Sequence, residues 1–141
     1  MDTKRITSFS IDWFNWSCCC AYDEVHEKTT IYLNKSLIKI DKYNGLNELI
    51  EEHNCLVPKD DIKGFFQLLE SIDQQNKWKQ DYSVEVCDGS AWEIRLRYSD
   101  KTIKLIKGTV EKPPLGNKID KYIRDMLLLS HDFADPILFG C

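Results

Sequence analysis

YSVEVCDGSAWEIRLRYSDKTIKLIKG, running from Tyr82 to Gly108, decides the fold. Tyr82, Val84 and Val86 alternate with Ser83, Glu85 and Cys87, and Asp88-Gly89 is a turn signal. Trp92, Ile94, Leu96 and Tyr98 then alternate with Glu93, Arg95 and Arg97; Ser99-Asp100-Lys101 turns again, and residues 102–107 read as a third strand. Successive side chains of a strand point to opposite faces, so the stretch reads as an antiparallel meander with one apolar and one charged face. On the charged face, Glu85 and Glu93 fall near Arg95, Arg97 or Lys104 as weakly stabilising cross-strand pairs.

Upstream, ITSFSI (6–11) reads as a strand, and the apolar parity shifts at Trp13-Phe14. Phe14, Trp16, Cys18, Cys20 and Tyr22 then share one phase, which predicts an irregularity near Asn15 and a second extended piece over 17–23. DEVHEK (23–28) reads as a polar turn, TTIYLNKSLIKI (29–40) as one or two further strands, and Tyr43-Asn44-Gly45 as a turn. LNELIEEH (46–53) reads as a short helix with Leu46, Leu49 and Ile50 on one side. Pro58 suits a helix start, and Asp60 and Asp61 suit the positive end of its dipole. Ile62, Phe65, Phe66, Leu69 and Ile72 recur at helical spacing, predicting a helix over 58–75, which Gly64 weakens by about 1 kcal/mol relative to alanine.

Downstream, Gly108 closes the meander and Pro113-Pro114-Leu115-Gly116 interrupts regular structure. Asn117 is the expected cap of a last helix, with Asp120 three residues on and Ile119, Tyr122, Ile123, Met126 and Leu127 as its apolar stripe. Phe133, Ile137, Leu138 and Phe139 make the tail apolar enough to fold back on the body. The sum is a single α+β domain over residues 1–141: a mainly antiparallel sheet of five to six strands with two main helices packed on one face.

A chain of this length buries enough surface to fold without metal or disulfide staples. Its net charge of −4 argues against nucleic acid, whose binding rests on Lys and Arg neutralising phosphates. No apolar run reaches the ~20 residues of a membrane span, and no signal peptide is evident, so the expected compartment is the cytoplasm. Thiols stay reduced there, and six cysteines need not make disulfides.

Little in the chain looks like chemistry. WSCCCAY (16–22) places Cys18, Cys19 and Cys20 in a row, but neighbouring strand residues face opposite ways and no paired C-x2-4-C spacing follows in Cys55, Cys87 or Cys141. A redox C-x-x-C is missing, and a thiol nucleophile would need His26, His53 or His131 beside it in the fold. Cysteine as a small buried hydrophobe is the reading that needs least, with Cys18 and Cys20 lining core or one side of a groove. Glu51-Glu52-His53 lacks the HExxH spacing of a metalloprotease, Asp60-Asp61 reads as a solvated first turn, and GTVEKPPLG is no phosphate loop. No catalytic residue, metal or cofactor is expected. Trp92 shares parity with Ile94 and Leu96 and reads as core; Trp13 and Trp16 read as surface or groove aromatics.

The motif DGSAWEIRLRY (Asp88 to Tyr98), then Gly108, then Pro113-Pro114 and a closing amphipathic helix, resembles a pattern of small uncharacterised α+β families of Firmicutes and of some bacterial immunity proteins. That pattern carries an asparagine after the strand-ending glycine, where this chain has Thr109 and Val110. The resemblance implies a non-enzymatic protein-binding module, most concretely an immunity protein neutralising a cognate toxin by direct contact. Candidate contact residues are Trp13, Trp16, Asp23, Glu24, Glu51, Glu52, Asp60 and Asp61, chosen as acidic segments and exposed aromatics. The competing reading is a small-ligand-binding protein or thiol-dependent enzyme with a pocket near Cys18 and Cys20.

Overall fold

The computed structural model describes residues 5–15, 24–75, 78–83, 90–109, 112–130 and 135–139. The element order is β1 (Ile6–Asn15), β2 (Glu24–Tyr32), β3 (Leu37–Asn44), β4 (Leu49–Leu56), α1 (Lys59–Gln74), β5 (Asp81–Tyr82), β6 (Ser90–Tyr98), β7 (Ile103–Gly108) and α2 (Gly116–Leu127). The strands form one seven-stranded sheet in the order β4-β3-β2-β1-β6-β7-β5. The α+β class holds, with seven strands where the sequence suggests five or six.

Register sorts the sheet into two faces. Phe9 lies opposite Ile31 and Leu96, and Ile11 opposite Thr29 and Ile94. Ile31 lies opposite Ile38, and Ile38 opposite Cys55. The apolar members of these pairs join Ile62, Phe65 and Leu69 of α1 and Ile119 and Ile123 of α2 in one buried core. Phe9 meets Phe65 edge to face at 5.1 Å, tying β1 to α1. Both helices therefore cover this inner face. A Cβ on Gly64 would fall on the Tyr122 hydroxyl, so the two helices approach closely where α1 has no side chain. Leu138 and Phe139 are buried as expected, with Phe139 edge-on to Trp92 at 5.2 Å.

The β6–β7 hairpin follows the alternation, with Trp92, Ile94, Leu96 and Tyr98 all buried. Trp92 lies opposite Gly108, and a Cβ there would run into the indole, which explains the glycine at the end of the meander. α1 and the apolar stripe of α2 also match the helical spacing.

Several expectations are corrected. Residues 46–53 form no helix: the chain turns at Asn44 and returns as β4, because Leu46, Leu49 and Ile50 have no core to cover and remain about half exposed. The segment from Glu24 to Lys28 is strand rather than turn. The register of β1 runs unbroken through Asn15, and its irregularity sits at the other end, between Ile6 and Ser8. Phe14 is out of phase because it lies on the outer face, stacked on His26 at 4.5 Å, which in turn stacks on Tyr43 at 4.9 Å. β5 runs parallel to β7 on its far side rather than antiparallel to β6; residues 84–89 lie outside the described residues. Leu115, at φ 64°, precedes α2, and Asn117 lies inside the helix, where its side-chain oxygen accepts from Lys112 Nζ at 3.0 Å.

Candidate protein-binding surface

Two local features create β4. Asn44 Oδ1 accepts from the backbone N–H groups of Leu46 and Glu48, each at 3.0 Å, while Asn47 takes the left-handed conformation at φ 60°. Asparagine tolerates this conformation and bonds its own backbone two residues on, so the chain reverses tightly. At the far end, Val57 N–H donates to Ser36 O at 2.9 Å, fixing the exit into α1.

β4 is the last strand of the sheet, so one side of its backbone has no neighbouring strand among the described residues. Such an edge is a template for pairing with another chain, usually guarded by Lys, Pro or a bulge. LIEEHNCL has neither Lys nor Pro. Its one irregularity lies where Lys42 pairs Glu51 and Tyr43 pairs Leu49, leaving Ile50 as the extra residue. Leu49, Ile50 and Leu56 are 50%, 48% and 71% exposed, apolar side chains at the two ends of the strand where solvated polar ones would cost nothing. Only Cys55 of this strand is fully buried, opposite Ile38, which makes it a core residue.

Acidic groups surround this edge. Lys42 Nζ stands 3.9 Å from Glu24 and 4.0 Å from Glu51, and His53 Nε2 is 2.9 Å from Glu51 Oε1. The hydrogen bond from His53, then the Lys42 charge, holds the Glu51 carboxyl below its ordinary range. Glu52 points to the outer face opposite Asp41, whose carboxyl is pushed up by burial. Asp60 and Asp61 occupy the first turn of α1, just beyond the end of β4. Behind Glu24, the wholly buried Glu27 is pushed up to about 8, first by burial and then by its hydrogen bond with Glu24. Its Oε1 accepts from Ile137 N–H at 3.0 Å.

The structure thus brings Glu24 and Glu51 together around one lysine, sets Glu52 on the opposite face, and puts Asp60 and Asp61 at the adjoining helix start. Trp13, expected at the surface, is 8% exposed on the helix-covered face, opposite Glu27 and Trp92. Trp16 and Asp23 lie outside the described residues, as do Cys18, Cys20 and His131. Leu49, Ile50 and Leu56 escaped the sequence reading because a helical reading placed the first two inside; Glu27 escaped because a buried glutamate has no signature in one sequence.

His26 and Asp12 are bonded at 2.7 Å on the outer face. His53 lies on the inner face, so the two histidines share no site. Among the described residues, no group of three His, Cys, Asp or Glu side chains could hold a metal ion, and no helix is long and apolar enough to cross a membrane. A scan of protein-family models matches no part of the chain, and comparison with curated proteins finds no match.

Proposed function

We propose that this chain is a non-enzymatic protein-binding module that docks a partner along β4, and that its finer identity is a bacterial immunity protein neutralising a cognate toxin in the cytoplasm. The observation that carries the reading is the open, apolar, acid-flanked edge of β4. An exposed strand edge offers main-chain hydrogen bonds, and Leu49, Ile50 and Leu56 offer side chains for alternating pockets on an added strand. Glu51, Glu52, Asp60 and Asp61 favour a partner with a basic surface and speed its encounter. The resemblance of the Asp88–Tyr98 motif to families that include immunity proteins supports the finer reading.

The test is growth protection. The chain is co-expressed with the polypeptide encoded beside its gene, and the culture is followed with and without the strand variant Ile50→Lys/Leu56→Lys. Wild type restoring growth, with the variant failing while still folded, supports the proposal. Equal protection by both would move the contact away from β4. Growth unaffected by the neighbouring polypeptide, with no complex formed, would sink the immunity reading.

A further inference from the structure

The outer face of the sheet carries a second feature, independent of β4. An open trough of about 410 Å³ lies over the centre of the sheet, with Ser8, Ser10, Lys28, Thr30, Arg95 and Arg97 in its lining. We propose that this trough binds a small organic phosphate.

Register explains the convergence. Ser10 pairs Thr30 on one side and Arg95 on the other, and Ser8 pairs Arg97, so hydroxyls of β1 and β2 and guanidinium groups of β6 share one face. Lys28 stands two residues before Thr30 on the same face of β2. Ser10 and Thr30 are each 7% exposed, which makes them the floor, while Arg95 and Arg97 stand exposed above it.

Charge separates this trough from the rest of the molecule. The chain has a net charge of −4, and the lysine beneath the β4 edge is met by glutamates on both sides. In the trough, three cations gather with no acidic side chain in the lining. Arg95 pairs with Glu93 at 3.7 Å from outside the lining, while Lys28 and Arg97 have no ion-pair partner among the described residues. The cross-strand neighbours of Lys28 are Asp12 and Asp41; Asp12 is bonded to His26, and Asp41 stands 4.0 Å from Lys39 and also feels the Lys28 charge. The carboxylates nearest these cations, Glu93, Asp12 and Asp41, lie outside the lining, so three positive charges face the trough itself. A dianionic phosphate relieves the repulsion among them, accepts the two-pronged donation of an arginine, and accepts from hydroxyls on the floor. The volume falls in the range of small-molecule sites, roughly 300–1,000 Å³, and exceeds what one phosphate group fills. Tyr32 and Leu33, also in the lining, offer apolar surface to an organic part such as a sugar or nucleoside.

The experiment is calorimetric titration of the full chain at low ionic strength with ribose 5-phosphate, adenosine monophosphate, inorganic phosphate and succinate. At least one organic phosphate should bind saturably, more tightly than inorganic phosphate or succinate, and bind less tightly as salt is added. Arg97→Gln and Lys28→Gln, each checked for folding by circular dichroism, should weaken that binding roughly tenfold or more. Lys121→Gln, on the exposed side of α2, should leave it unchanged. No saturable heat with either organic phosphate up to about 10 mM overturns the proposal. So does equal binding of inorganic phosphate or succinate, or binding that survives both cation substitutions. Loss of the β4 partner would leave all these outcomes untouched, so the two proposals fail separately.

Discussion

Glu27 Oε1 accepts a hydrogen bond from the backbone N–H of Ile137 at 3.0 Å, across 110 residues of sequence. The bond latches the C-terminal segment, with buried Leu138 and Phe139, onto β2. The acceptor sits on a carboxyl pushed up from 4.5 to about 8, chiefly by burial.

That displacement sets a pH dependence. Between these two values the folded chain holds a proton that the unfolded chain releases. Stability from this group is complete below about pH 4.5 and falls as pH rises through about 8. The loss is spread over the Glu24–Glu27 pair, whose carboxyls interact. Asp41, also raised by burial, adds the same sign. Glu27→Gln keeps an acceptor for Ile137 without the charge. Urea unfolding from pH 5 to pH 8 should show a shallower decline in the variant, and greater stability than wild type at pH 8. An unchanged slope would contradict the assignment.

Gly108→Ala tests the crossing of Trp92 over β7. The new Cβ would overlap the indole, and the wholly buried Trp92 has no room to withdraw. Overpacking of this kind costs roughly 1–3 kcal/mol. A lowered melting temperature with a red shift of tryptophan emission is expected; a neutral substitution would show that the strand can move aside.

Asp73 joins α1 to the hairpin. Its Oδ2 accepts from the Tyr98 hydroxyl at 2.8 Å and its Oδ1 from Lys104 Nζ at 2.9 Å. Burial, followed by the bond to Asp73, pushes the Tyr98 phenol above its ordinary value. Asp73→Ala leaves a buried hydroxyl bereft of this acceptor and should cost about 1–3 kcal/mol, most of it through Tyr98 because the Lys104 pair is partly exposed. Tyr98→Phe should cost less than Asp73→Ala, and combining the two should be less than additive. Strict additivity in chemical denaturation would mean that the bond contributes nothing.

Legibility in the sequence followed burial. Ile62, Phe65, Phe66, Leu69 and Ile72 are all at most 1% exposed, and their spacing is readable because one face meets one core. The same holds for Trp92, Ile94 and Leu96. β4 was illegible for the opposite reason: its apolar residues face solvent, so their order carries no period imposed by a core. β2 begins with polar residues because His26 and Lys28 face the open side while Glu27 is held by a partner 110 positions away. β5 joins the sheet by parallel pairing with β7, a non-local contact that no local pattern announces. Of the candidate contacts, Glu51 and Glu52 fall on the exposed edge, whereas Trp13 read as a surface aromatic only because of a phase change that Phe14 explains.

The most direct test of the central claim is quantitative affinity purification of the tagged chain from its native cells, alongside Ile50→Lys/Leu56→Lys on β4 and His26→Ala on the outer face. The account predicts one partner recovered at near-equal amounts with wild type and with His26→Ala, and lost with the β4 variant. A partner held equally by the β4 variant, or no stoichiometric partner at all, would contradict it.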